Sequence, residues 1–113
     1  MTTYIESLVA VLDRAGERPV LRHEGVDTTA AEFLAAIHRY ARVLDGLGLG
    51  RGDLVALLAP NRPEALAVRY ATHLLGAGAV YLSVPPNPER RAPMIAQFAP
   101  RLVVVFLRRT VSR

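Results

Sequence analysis

Gly48-Leu49-Gly50-Arg51-Gly52-Asp53-Leu54-Val55-Ala56-Leu57-Leu58-Ala59-Pro60-Asn61-Arg62-Pro63-Glu64 is the stretch on which the fold turns. The apolar run Leu54 to Leu58 is bounded by glycines before it and Ala59-Pro60 after it, and is too short for a helix. Such a run reads as a buried strand. Asn61, Pro63 and Glu64 then form a helix-start signal, with asparagine as cap, proline in the first turn and a carboxylate three residues on. The helix is expected to run to about Leu75, with Leu66, Tyr70 and Leu74 on one face, until Gly76 and Gly78 stop it. Ala79 to Val84 reads as the next strand, and Pro85-Pro86-Asn87-Pro88 as a loop that neither a helix nor a central strand can hold. A short helix from Ala92 to Phe98 tolerates Pro93 only in its first turn. Arg101 to Phe106 is the last strand. From about 53 to 106 the order is strand, helix, strand, helix, strand. Apolar strands joined by helical crossovers form a mostly parallel sheet covered on both faces. The fold class is therefore α/β, a partial three-layer sandwich.

Upstream, Ile5, Leu8, Val9 and Leu12 recur at helical spacing across Tyr4 to Arg14, and Gly16 ends that helix. Val20 to Glu24 reads as a strand, turning at Gly25 toward a short partner at Val26 to Thr28. Thr29-Ala30-Ala31-Glu32 is a capping box, in which hydroxyl and carboxylate each satisfy an orphan backbone N–H. The helix behind it, to about Leu44, carries Phe33, Ile37, Tyr40, Ala41 and Leu44 on one stripe, bordered by His38. A helix, a short hairpin and a second helix thus precede the sheet.

The chain has 113 residues, of which 51% are hydrophobic and 21% charged. One small domain with a modest core is expected, and a disordered chain is excluded. There is no cysteine, so disulfides and thiolate metal sites are out, and cytoplasmic residence fits. No apolar run approaches the roughly 20 residues that span a bilayer, and the first residues do not read as a signal peptide. The net charge is +4, every cation is an arginine, and removing Arg108, Arg109 and Arg113 leaves +1. The excess is local to the tail, without the basic stripe, aromatic interleaving or module that a nucleic-acid binder needs.

Candidate sites are few. The glycines from 46 to 52 follow a helix and precede a strand, the reverse of a dinucleotide fingerprint, and read as a helix stop plus a turn. The absence of lysine rules out a P-loop, a Schiff base and an ammonium phosphate clamp. His23, His38 and His73 stand at no metal-ligand spacing. Asp53 sits at the wrong end of its strand for a phosphoacceptor and reads as a turn residue. Asp53 and Glu89 show no spacing for paired acid–base work. Ser83, between Tyr81 and Pro85, is not a nucleophile elbow. Asn61 and Asn87 fall at strand carboxyl ends, where doubly wound folds line ligand crevices, but asparagine is also a good turn former. No catalytic, cofactor-binding or metal-binding residue is assigned.

The string Thr29-Ala30-Ala31-Glu32-Phe33, then Gly50-Arg51-Gly52-Asp53-Leu54-Val55-Ala56, Pro60-Asn61-Arg62-Pro63-Glu64, Gly76-Ala77-Gly78-Ala79-Val80 and the Asn87-Pro88 loop resembles the N-terminal segment of the AMP-binding, acyl-CoA-synthetase-like family. The resemblance covers roughly residues 16 to 105; the tail from Leu107 does not resemble the family's continuation. It implies that residues 1–106 are the N-terminal part of the large domain of an acyl-activating enzyme, and 107–113 a disordered basic tail. Whole relatives use ATP and Mg²⁺ to turn a carboxylic or fatty acid into an acyl-adenylate, then pass the acyl group to coenzyme A. The family's phosphate loop, its Tyr-Gly-x-Thr-Glu-type motif, its ribose-binding aspartate and its catalytic lysine have no counterpart in these 113 residues. The resemblance therefore implies a segment that is inactive alone and binds none of those cofactors by itself, partnered by the remainder of the enzyme or by another copy. A stand-alone α/β binding module and a purely structural interaction domain are the alternative readings.

Overall fold

The computed structural model describes residues 3–58, 62–82 and 88–105. The elements run α1 (Tyr4–Ala15), β1 (Pro19–His23), β2 (Val26–Thr29), α2 (Ala30–Gly46), β3 (Leu54–Leu58), α3 (Pro63–Leu74), β4 (Gly78–Tyr81), α4 (Pro88–Ala96) and β5 (Leu102–Val105). Strands β3, β4 and β5 form a parallel sheet in the order β4-β3-β5, while β1 and β2 pair as an antiparallel hairpin. The expected α/β architecture and its element order stand.

Strand β3 is central because it is apolar on both faces: Val55, Ala56, Leu57 and Leu58 are all buried. Register with its neighbours places Val55 beside Ala79 and Leu102, and Leu57 beside Tyr81 and Val104. That face packs on the helical layer through Ala67, Val68 and Ala71 of α3, with Ile37 and Leu44 of α2 in the same cluster. Phe33 of α2 meets Tyr70 of α3 edge to face, ring centres 5.9 Å apart. The sheet grows outward to β4 and then back across β3 to β5. Right-handed crossovers therefore place α3 and α4 on opposite faces.

Helix α2 begins as its sequence requires. The Thr29 hydroxyl accepts from the Glu32 N–H at 3.1 Å, and the Glu32 carboxylate accepts from the Thr29 N–H at 2.9 Å. The backbone bond from Thr29, then its hydroxyl, hold the Glu32 carboxyl below its ordinary value of 4.5. A depressed acid adds stability that is fully present above the unfolded value. That stability drains away as the pH falls through the lower folded value. Glu32→Ala, which removes the depressed carboxyl itself, is accordingly expected to lower stability near neutral pH. Denaturant titration of both proteins at pH 7 and at pH 3 should show the gap narrowing in acid; an equal gap at both pH values would break this account of the box.

Several boundaries differ from expectation. Helix α2 passes through Gly46 because Gly48, with φ +87°, is the residue that turns left-handed. The Leu49 N–H then returns to the Leu44 carbonyl. Helix α3 has its cap at Arg62, without a side-chain cap bond, and Pro63 at the first helical position, so the capping role given to Asn61 moves on by one residue. Its buried face is Ala65, Ala67, Val68, Ala71 and Thr72, with Leu66, Tyr70 and Leu74 only partly buried. Small residues win this face because α2 and α3 pack closely, and the Thr72 hydroxyl is satisfied by donating to the Val68 carbonyl at 2.8 Å. Helix α4 starts at Pro88 rather than Ala92, which leaves Pro93 inside the helix. Strand β4 is shorter than expected, closing at Tyr81. The segment 83–87, with Ser83 and most of the proline loop, lies outside the described residues, as do Asn61 and the tail 106–113.

Candidate functional site

The two ends of the sheet differ in character. At the amino end the connections are stitched to one another. Asp53 accepts from the Gly50 N–H at 2.9 Å through its side chain and from the Gly78 N–H at 2.8 Å through its carbonyl. The Arg101 N–H donates to the Leu54 carbonyl at 2.7 Å. Gly52 and Gly76 both hold positive φ, which explains glycine at these two turns. The glycine run and Asp53 are thus the turn structure expected of them, closing the end of the sheet away from where open α/β folds bind ligands.

Helix α4 follows the carboxyl end of β4, so Glu89 in its first turn is at the opposite end of the sheet from Asp53. The topology does not bring these two carboxylates together. The histidines are also apart. His23 ends β1, close to Glu24 at 3.8 Å. His38 is exposed on α2 rather than bordering its core face. His73 is half-buried on α3, where burial lowers its pKa from the ordinary 6.5. Its Nδ1 is hydrogen-bonded to the Tyr4 hydroxyl, with the two rings 5.5 Å apart, edge to face. Lowering the pKa favours the neutral ring, which suits an Nδ1 that accepts from a phenol. His73 is therefore a tie between α1 and α3. Among the described residues no three His, Asp or Glu side chains converge as metal ligands would.

At the carboxyl end, a groove of about 410 Å³ opens between the hairpin and the first turns of α3. Leu21, Arg22 and His23 form one wall; Arg62, Pro63, Ala65, Leu66 and Arg69 form the other, and Tyr81 closes the end. Tyr81 is fixed by donating its hydroxyl to the Ala65 carbonyl at 3.2 Å. The Arg69 guanidinium lies 5.6 Å from the centre of the Tyr81 ring. Burial pushes the Tyr81 hydroxyl above its ordinary pKa of 10.0, against the opposing pull of Arg69. Sequence reasoning assigned none of these side chains. A signal was present: Arg62 and Arg69 are seven apart, which on a helix is two turns along one face.

The AMP-binding enzyme family model matches residues 8–113. The chain belongs to the AMP-binding enzyme family. The match runs beyond 16–105 at both ends, so the tail that resembled nothing in the family falls within it after all. Over 99 residues, 82% of this chain, it is 32% identical to an acetyl-coenzyme A synthetase from Sodalis glossinidius. Over 71 residues it is 39% identical to the long-chain-fatty-acid–CoA ligase FadD13 from Mycobacterium tuberculosis. The O-succinylbenzoate coenzyme A synthetase of Bacillus subtilis, solved in complex with AMP, superposes on 93% of this chain with a TM-score of 0.77 and 26% identity. The chain spans 15% of the first of these enzymes, 13% of the second and 27% of the third. None of the described helices is long and apolar enough to cross a membrane.

Proposed function

We propose that the chain is the N-terminal part of the large domain of an acyl-CoA-synthetase-like enzyme, and that it supplies scaffold rather than chemistry. In the whole enzyme a carboxylic or fatty acid would be activated with ATP to an acyl-adenylate and then transferred to coenzyme A, in the cytoplasm. ATP and magnesium enter this reading through the Bacillus subtilis synthetase, which has been solved in complex with both. The residues present do not fit those groups. Adenylation needs donors preorganised around the reacting phosphates and cations to neutralise their developing charge. The glycine turns are at the amino end of the sheet, the chain has no lysine, and no carboxylate cluster is found among the described residues.

The single observation that carries the reading is the stitched amino end. In the family-like motif Gly50-Arg51-Gly52-Asp53 the Asp53 carboxylate closes the motif's own turn onto Gly50, while the Gly52 N–H and the Asp53 carbonyl tie it to Gly76 and Gly78 at the start of β4. The test is to incubate the purified chain with ATP, Mg²⁺ and a panel of fatty and aryl acids while following pyrophosphate release. The expected rate equals that of a buffer blank. Acid-dependent turnover above the blank would overturn the claim that the chain is inactive alone.

A further inference from the structure

We propose that the groove between the β1–β2 hairpin and the first turns of α3 binds a small organic oxyanion, whose phosphate or carboxylate is held by Arg62 and Arg69 and whose apolar part rests on Leu21 and Leu66. This goes beyond the functional reading above and does not depend on it.

Three guanidinium groups line this concavity, Arg62 from the cap of α3, Arg69 from within it and Arg22 from the hairpin, and among the described residues no carboxylate lines it. Among the described residues neither Arg62 nor Arg69 has an ion-pair partner, whereas Arg22 pairs with Asp27 at 2.7 Å. The carboxylates of Glu24 and Glu64 line a separate, neighbouring concavity. Arg22 is doubly engaged by Asp27 and serves as wall. Arg69 is held over the Tyr81 ring, and Tyr81 is itself anchored to the α3 backbone. A guanidinium positioned in this way loses less freedom on binding, and its fork of donors matches a carboxylate or phosphate. The uncapped amino end of α3 adds partial positive charge beside Arg62. Leucine, proline and alanine supply the apolar remainder, the mixture expected of a small-molecule site. A bare inorganic ion would leave that apolar wall unused.

The test titrates the chain with phenyl phosphate and with benzoate, using inorganic phosphate and phenol as arms, and follows the arginine Nε–H resonances by NMR. One or both aromatic anions should saturate with shifts confined to Arg62 and Arg69; the tighter of the two identifies the anionic group. Inorganic phosphate and phenol should each bind at least fivefold more weakly. Arg62→Gln and Arg69→Gln should each weaken binding about tenfold, while Arg42→Gln on the exposed side of α2 leaves it unchanged. Arg69→Lys, which keeps charge without the fork, should fall between and guards against a folding defect in Arg69→Gln. Equal binding of inorganic and phenyl phosphate, shifts spread over all arginines, or no saturation by either aromatic anion would each overturn the assignment.

Discussion

Leu57→Ala is expected to lower the thermal midpoint by ten degrees or more, on the order of 3 kcal/mol spread over a domain of about this size. Leu57 is fully buried in the central strand, between Tyr81 on one side and Val104 on the other. Its side chain belongs to the cluster with Ala67, Val68 and Ala71 of α3 and Ile37 of α2. Truncation removes apolar contact and leaves a cavity, because backbone pairing on both edges prevents collapse. Large-to-small changes at such sites cost about 2–5 kcal/mol, a large share of the roughly 5–15 kcal/mol that holds a small domain folded. The same change at Val43, 57% exposed on α2, should move the midpoint by a degree or two at most. Thermal unfolding followed by far-ultraviolet circular dichroism compares them. Similar midpoints for the two variants would mean that β3 is not the centre of the core.

The central strand was legible because Leu54 to Leu58 lacks any helical or alternating period and is fenced by glycine and proline. The capping box was legible because its four residues act on one another locally, and the bonds form between those same residues. Helix α3 was legible in place but not in face. The large residues Leu66, Tyr70 and Leu74 suggested one stripe, whereas the close neighbour α2 selects the small residues Ala67, Val68 and Ala71. A partner's distance is tertiary information that hydrophobicity alone does not carry. Pro93 marked a helix start, yet Pro88 had already supplied one. The oxyanion groove was hidden for a related reason: Arg62 and Arg69 share a face within one helix, but Leu21 and Tyr81 reach them only through the packing of a hairpin and a strand.

The same packing leaves apolar surface exposed among the described residues, and the chain alone should associate with itself at high concentration. Residues of β5 alternate: Leu102 and Val104 pack toward the helical layer, while Val103 and Val105 turn the other way and are 42% and 53% exposed. Phe98, after α4, is 41% exposed. Among the described residues β4 and β5 each pair with β3 on one side only, so both outer edges present backbone donors and acceptors. An apolar edge strand is a template for another chain. On the proposed reading the remainder of a large domain covers these edges; for the chain by itself another copy is the available partner. Light scattering at about 100 µM should give at least twice the 12.3 kDa of one chain. Val103→Lys with Val105→Lys should return it to one chain, because paired edges would then align like charges in a dehydrated seam. The substitutions touch exposed positions and should leave the cooperative unfolding transition in place. A monodisperse single chain before any substitution, stable at that concentration, would show that three strands suffice and that nothing needs to cover them.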